Sequence, residues 1–205
     1  MGNFSQKIDK FIEIFIEQNG YVSVLEGLKN TVLIAVIGLV IGILIGTLIA
    51  TVRVIPKYKL LPRILNGFCS FYVGLFRGTP IVVQLLVFYY VMLPIMGLHM
   101  TGVQVSILVF GLNSGAYISE IMRSGILSVD GGQMEAGRSL GFNYLQTMWY
   151  IIAPQVIKNV LPTLANEFIT LIKETSIAAY AGVMELTMAG NRIRGQTFSD
   201  FMPLI

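Results

Sequence analysis

From Thr31 to Val52 the chain runs for roughly 22 residues without a charged side chain, enough helix to cross about 30 Å of hydrocarbon. Inside a membrane each backbone N–H and C=O must find its partner within the segment, so an isolated run of this kind is a spanning helix. Gly38, Gly42 and Gly46 recur every four residues along it, and Ala50 continues the series. Small residues on one helix face let a second helix approach closely. The stripe predicts packing and carries no ligand role.

Composition points the same way. Of the 205 residues 55% are hydrophobic and 12% are charged, with a net charge of +3. Soluble domains carry about 25% charged residues, so half of the usual solvating charge is absent. One membrane domain, 1–205, follows. The single cysteine, Cys69, excludes an internal disulfide and a thiolate metal site, and the single histidine, His99, excludes a histidine cluster; no metal site is expected.

Phe4, Ile8, Phe11, Ile12, Phe15 and Ile16 are spaced as on one helix face, with charged residues between them. They predict a helix over 4–18 that either lies in the membrane interface or packs on the rest of the protein, and that turns at Asn19-Gly20. This charged opening does not read as a cleavable signal peptide. Arg53, Lys57, Lys59 and Arg63 gather around Pro56 and Pro62, which places that loop in the cytoplasm and the N-terminus outside. Spans are predicted over 31–53, 64–93, 103–123 and 149–172, with Trp149 and Tyr150 at an interface. The second is interrupted by Arg77-Gly78-Thr79-Pro80 and is either one kinked span or an elbow followed by a span; Arg77 is expected to bond carbonyls freed by Pro80. Residues 201–205 read as the start of a fifth span, with the native C-terminus beyond Ile205. The fold class expected is an all-α integral membrane protein.

No G-x-x-x-x-G-K-[ST] loop, G-x-S-x-G elbow or H-E-x-x-H pair occurs. No catalytic residue is assigned, the chain has no ATP site of its own, and nucleic acid is not expected as a partner. Polar residues within the spans then point to transport or packing.

One hydrophilic segment stands between two of the most apolar stretches: Asp130–Phe142, DGGQMEAGRSLGF. Asp130 suits a helix N-terminus, Gln133 three residues on is compatible with a capping-box variant, and Gly141 suits a left-handed helix end. A short cytoplasmic helix is predicted over 133–140, with Met134, Arg138 and Gly141 on one stripe. Ala136-Gly137 offers a nearly bare backbone for close approach by another protein.

Glu135-Ala136-Gly137, then Gly141, Ile151 and Pro154 resemble the EAA motif of bacterial ABC importer permeases: EAA, three residues, Gly, nine residues, I-x-L-P. Gly137 stands where the motif has its second Ala, and Ala153 where it has Leu. Arg77-Gly78-Thr79-Pro80 with Gln84, Ala116-Tyr117 with Glu120 and Arg123, and Lys173-Glu174-Thr175-Ser176 are similar to the polar amino-acid uptake branch. The four stretches cover most of 31–176. The resemblance implies a type I permease fold of about five spans, with 130–142 as the coupling helix seated in a groove of a partner ATPase. Asp130, Gln133, Glu135, Ala136, Gly137, Arg138 and Gly141 would form the coupling element. It implies a pair of permeases (a homodimer or two paralogues), an extracytoplasmic substrate-binding protein, a multi-pass place in the bacterial inner membrane among its lipids, and ATP with Mg on the partner ATPase alone.

Glu167 lies roughly 25 Å along a helix from Tyr150, at about 1.5 Å per residue. An unpaired carboxylate at that depth costs a few kcal/mol or more, so it faces either a pathway or a cation. It is expected to receive the side chain of arginine, lysine or histidine, with Asn166 and Thr170 beside it; the alternative is pairing with Lys173, Arg192 or Arg194. Asn113, Tyr117 and Glu120 share a stripe. Asn113 and Tyr117 are assigned to the path, with an interhelical hydrogen bond as the alternative for Asn113, and Glu120 is expected to pair with Arg123 or Arg138. The function predicted is ATP-driven import of polar, basic amino acids. The alternatives are a glutamine or glutamate permease, a secondary transporter or channel without an ATPase, and a non-transporting scaffold.

Overall fold

The computed structural model describes residues 4–55 and 60–197. The expected fifth-span start at 201–205, and Pro56, Lys57 and Lys59 of the basic loop, lie outside them. All regular structure among the described residues is helical.

Helix α1 (Phe4–Ile12) continues as a π-helical turn, Glu13–Glu17. The chain reverses at Asn19, whose φ of 57° is tolerated by an asparagine, and α2 (Gly20–Val54) follows. At 35 residues α2 is about 52 Å long and begins well before the span expected over 31–53. Helix α3 (Leu60–Gly78) is broken from α4 (Ile81–Val87) at Thr79-Pro80. A π-helical turn (Phe88–Met92) and the single turn α5 (Leu93–Ile95) complete that arm. Then come α6 (Gly102–Leu127), α7 (Gly132–Ser139) and α8 (Tyr144–Thr147). A π-helical turn, Met148–Ile152, leads into α9 (Ala153–Glu174), a 3₁₀ turn (Thr175–Ala181) and α10 (Leu186–Thr197). By length and composition α2 and α6 are each apolar enough to cross a membrane, and α3 with α4–α5 qualifies as one broken span. Helix α9, with Lys158, Asn159, Asn166 and Glu167, does not meet the same measure.

The chain divides into two compact units. The first comprises Met1–Ile37, Val82–Val109 and Ile172–Ile205. Its core gathers Leu85, Leu93, Val105, Val109 and Ala181, with Phe88, Tyr89, Met100 and Ile177 against it. Helix α1 lies against α10, so the opening helix has a protein partner. Asn30 donates its amide to the Met184 carbonyl at 2.8 Å. Glu185, 1% exposed, caps α10: its carboxylate accepts the Thr187 and Met188 backbone N–H groups at 2.7 and 2.5 Å. A carboxylate at a helix N-terminus satisfies orphan donors and complements the helix dipole.

The second unit comprises Gly38–Ile81 and Phe110–Leu171. Here the glycine stripe of α2 meets α6. A Cβ on Gly42 would lie 2.8 Å from Ser114 Oγ, and one on Gly46 2.8 Å from Ile118 Cβ. Gly111 and Gly115 of α6 return the fit around Ile41 and Ile45 of α2. Each helix thus offers a glycine where the other presents a branched side chain. A second cluster, Ile152, Val156 and Val160 of the α9 arm, packs on Ile121, Met122 and Ile126 of α6 and on Met134 of α7, which fixes the short hydrophilic helix to the bundle.

Candidate functional site: a polar face on α6 and an exposed short helix

Helix α6 carries polar side chains into the second unit at consecutive turns. Asn113 is 6% exposed and donates its side-chain amide to the Phe76 carbonyl at 3.2 Å. Phe76 precedes Pro80 by four residues, so a continuing helix would have used an N–H that proline lacks. The freed carbonyl is therefore bonded by Asn113, which takes the job expected of Arg77. The Thr79 hydroxyl satisfies the Leu75 carbonyl at 2.8 Å in the same turn. Tyr72 bonds the Leu112 carbonyl and ties α3 to the same stretch of α6.

Ser114 is fully buried and donates its hydroxyl to Glu167 Oε1 at 3.0 Å. Glu167 itself is half-buried. It forms no ion pair among the described residues, so the pairing with Lys173, Arg192 or Arg194 weighed from sequence is not made. Asn166 and Thr170 are exposed, and the Thr170 hydroxyl bonds back to the Asn166 carbonyl at 3.1 Å. One turn along α6 from Asn113, Tyr117 is 38% exposed, with the Arg77 guanidinium 5.2 Å from its ring centroid. Glu120 bonds Arg53 and, at 3.1 Å, Arg123. Arg123 is the partner expected and Arg53 was not foreseen, while Arg138 makes no ion pair with it.

The short hydrophilic helix is α7, Gly132–Ser139, within a residue of the expected bounds. The Asp130 carboxylate accepts the Gly132 N–H at 2.7 Å. The reciprocal bond expected of Gln133 is not made; a capping box forms instead at Asn143 and Gln146, through two bonds of 2.9 Å. At the other end Gly141 has φ +90°, and the Phe142 N–H bonds the Gly137 carbonyl at 3.2 Å. Such a left-handed helix end is open to glycine at little cost.

Gly137 corrects the sequence reading. It is buried inside the chain, and a Cβ there would lie 2.5 Å from Thr147 Cγ2 and 2.9 Å from Ile151 Cδ1. Its bareness makes room for α8 and the turn after it. Of the expected coupling residues Asp130, Gln133, Glu135, Ala136, Arg138 and Gly141 are exposed, and Leu140 stands out at 78%. No group of three or more metal-ligating side chains exists among the described residues.

Comparisons with known proteins bear on the fold and the family. A protein of Rickettsia bellii (strain RML369-C) with the provisional name glutamine transport system permease protein GlnP is 41% identical over 70% of this chain. The match spans 66% of that relative's own length, just under two thirds. The arginine transport system permease protein ArtQ of Bacillus subtilis (strain 168) is 37% identical over 66% of this chain and 62% of its own length. A solved crystal structure of an amino acid ABC transporter with histidines superposes with TM-score 0.79 at 36% identity, covering 93% of this chain and 86% of that one. An inward-facing MetNI methionine ABC transporter superposes with TM-score 0.64 at 20% identity, over 87% of this chain and 85% of that one, which bears on the fold alone. The fold is the all-helical type I ABC permease fold. The family described as "binding-protein-dependent transport system inner membrane component" matches residues 38–202, and the chain belongs to that family of multi-pass ABC transporter permeases.

Proposed function

We propose that this chain is the transmembrane subunit of an ATP-driven amino-acid importer and that Glu167 receives the cationic side chain of a basic amino acid. Within the family's architecture, ATP binding closes two partner ATPase subunits, the exposed face of α7 moves with them, and the path opens alternately toward a substrate-binding protein and toward the cytoplasm. The observation that carries the substrate is Glu167. Its carboxylate is held by one neutral hydroxyl, that of Ser114, and faces no cation among the described residues. An ionised carboxylate so placed, half-buried against α6, is costly unless a cation arrives. A relative named for arginine and a solved relative holding histidines support the same class.

A glutamine importer is the second reading, favoured by the names of the Rickettsia relatives. A side-chain amide would donate to Glu167 where a guanidinium would pair with it. Replacing Glu167 by Gln separates the two. In liposomes containing the whole complex, Glu167→Gln lowers arginine uptake at least tenfold and leaves glutamine uptake within twofold if the basic class is right. Unchanged preference between the two amino acids rejects the role of Glu167.

A further inference from the structure

Among the described residues, three guanidinium groups surround the single carboxylate of Glu120. Arg53 bonds Oε1, Arg123 Nε lies 3.1 Å from Oε2, and Arg77 Nη1 stands 3.9 Å from Oε1. The cluster carries a surplus of positive charge, with Arg53 in the last turn of α2 and Arg77 and Arg123 part-exposed beside it. Arg53 Nε is buried with no hydrogen-bond partner. The three arginines are not equivalent. Glu120 is hydrogen-bonded to Arg53 and Arg123, whereas Arg77 is the loosest, 43% exposed and 5.2 Å from the Tyr117 ring centroid.

We infer that this cluster is an anion subsite of the translocation path and that Arg77, which lies over the Tyr117 ring, receives the carboxylate of the imported amino acid. The guanidinium fork matches a carboxylate with two parallel hydrogen bonds, and a cation–ring contact favours its place over the aromatic face. Placement on α6 supports this. Ser114, bonded to Glu167, and Tyr117, beneath Arg77, are three residues apart and are neighbours on the helix surface, about 4.5 Å along the axis. A cation-seeking carboxylate and an anion-seeking guanidinium are thus contacted from adjacent turns of α6. The inference rests on the importer reading above. An anionic lipid phosphate presents the same fork of oxygens, so the experiment separates the two sources.

The permease–ATPase complex, without binding protein, is placed in phosphatidylcholine nanodiscs and titrated calorimetrically with arginine, arginine amide, glutamine and glutamine amide. For whichever pair binds, the parent complex should prefer the free carboxylate at least tenfold. Arg77→Gln should reduce that preference below twofold, and Arg77→Lys, which keeps the charge without the fork, should leave it between these values. The lysine variant also reports if the glutamine variant fails to assemble, and equal preference in Arg77→Lys and parent overturns the fork. A tenfold preference that survives in Arg77→Gln, or no preference in the parent, overturns the inference while ATP-driven uptake by the parent leaves the importer reading standing. Amino-acid binding that weakens tenfold when phosphatidylglycerol is added assigns the cluster to lipid and overturns it as well. If the parent neither binds nor imports any of the four, both readings fall together.

Discussion

The side-chain amide of Asn113 on α6 donates to the backbone carbonyl of Phe76 on α3 at 3.2 Å, across a sequence separation of 37 residues. Pro80 ends the hydrogen-bond ladder of α3, and a residue of another helix completes it. This bond joins two helices of the second unit next to Arg77 and Tyr117, so the break in α3 and the polar face of α6 are parts of one arrangement.

Removing that amide should therefore cost stability. Asn113→Leu removes this hydrogen bond, worth about 0.5–1.5 kcal/mol net, and lowers the thermal unfolding midpoint of the purified complex. Pro80→Ala, which restores a backbone N–H, should return part of the loss in the double variant. Equal midpoints for the Asn113→Leu variant and the parent would show that the bond contributes nothing.

Gly137→Ala brings the chain closer to the EAA motif, yet it should be harmful. The added methyl would meet Thr147 Cγ2 at 2.5 Å, and overpacking of this kind costs about 1–3 kcal/mol. Thr147→Ser removes that methyl and keeps the hydroxyl bond to the Asn143 carbonyl, so it should recover part of the loss in Gly137→Ala, the approach to Ile151 Cδ1 at 2.9 Å remaining. Thermal midpoints of the two single variants and the double variant provide the check; additive losses would contradict the packing account.

The glycines of α2 should not respond alike to alanine. At Gly38 the new Cβ would sit 3.5 Å from Phe110 Cβ, an ordinary contact, whereas at Gly46 it would lie 2.8 Å from Ile118 Cβ. Gly38→Ala should be neutral or stabilising by up to about 1 kcal/mol through helix propensity. Gly46→Ala should be destabilising by about 1–3 kcal/mol. A reversed order, measured by unfolding of the purified protein in detergent, would refute the α2–α6 fit.

These particulars show what a linear reading can reach. The helix at 132–139, its left-handed end at Gly141 and the packing stripe of α2 follow from local chemistry and periodicity, and each was legible in the sequence. The Gly137 reading failed because the sequence shows that a backbone is bare without showing which neighbour uses it. The partners of Phe76 and Glu120 were hidden for a related reason. Helical spacing tells which residues share a face, but Asn113 with Phe76 and Arg53 with Glu120 are pairs set by how separate helices register, 37 and 67 residues apart. Glu185 escaped notice altogether. The only signal was an acidic residue just ahead of a short amphipathic stretch, where Ser, Thr, Asp and Asn are the usual caps.

The central claim is that an external ATPase drives this permease through the exposed face of α7. Reconstituting the permease with its ATPase and measuring ATP hydrolysis with and without amino-acid-loaded binding protein tests it most directly. The account predicts hydrolysis that rises severalfold with the loaded binding protein, and a loss of both that response and ATPase co-purification when Glu135 is replaced by Lys or Leu140 by Asp. Hydrolysis indifferent to amino acid and binding protein, or variants that keep the full response, would contradict it.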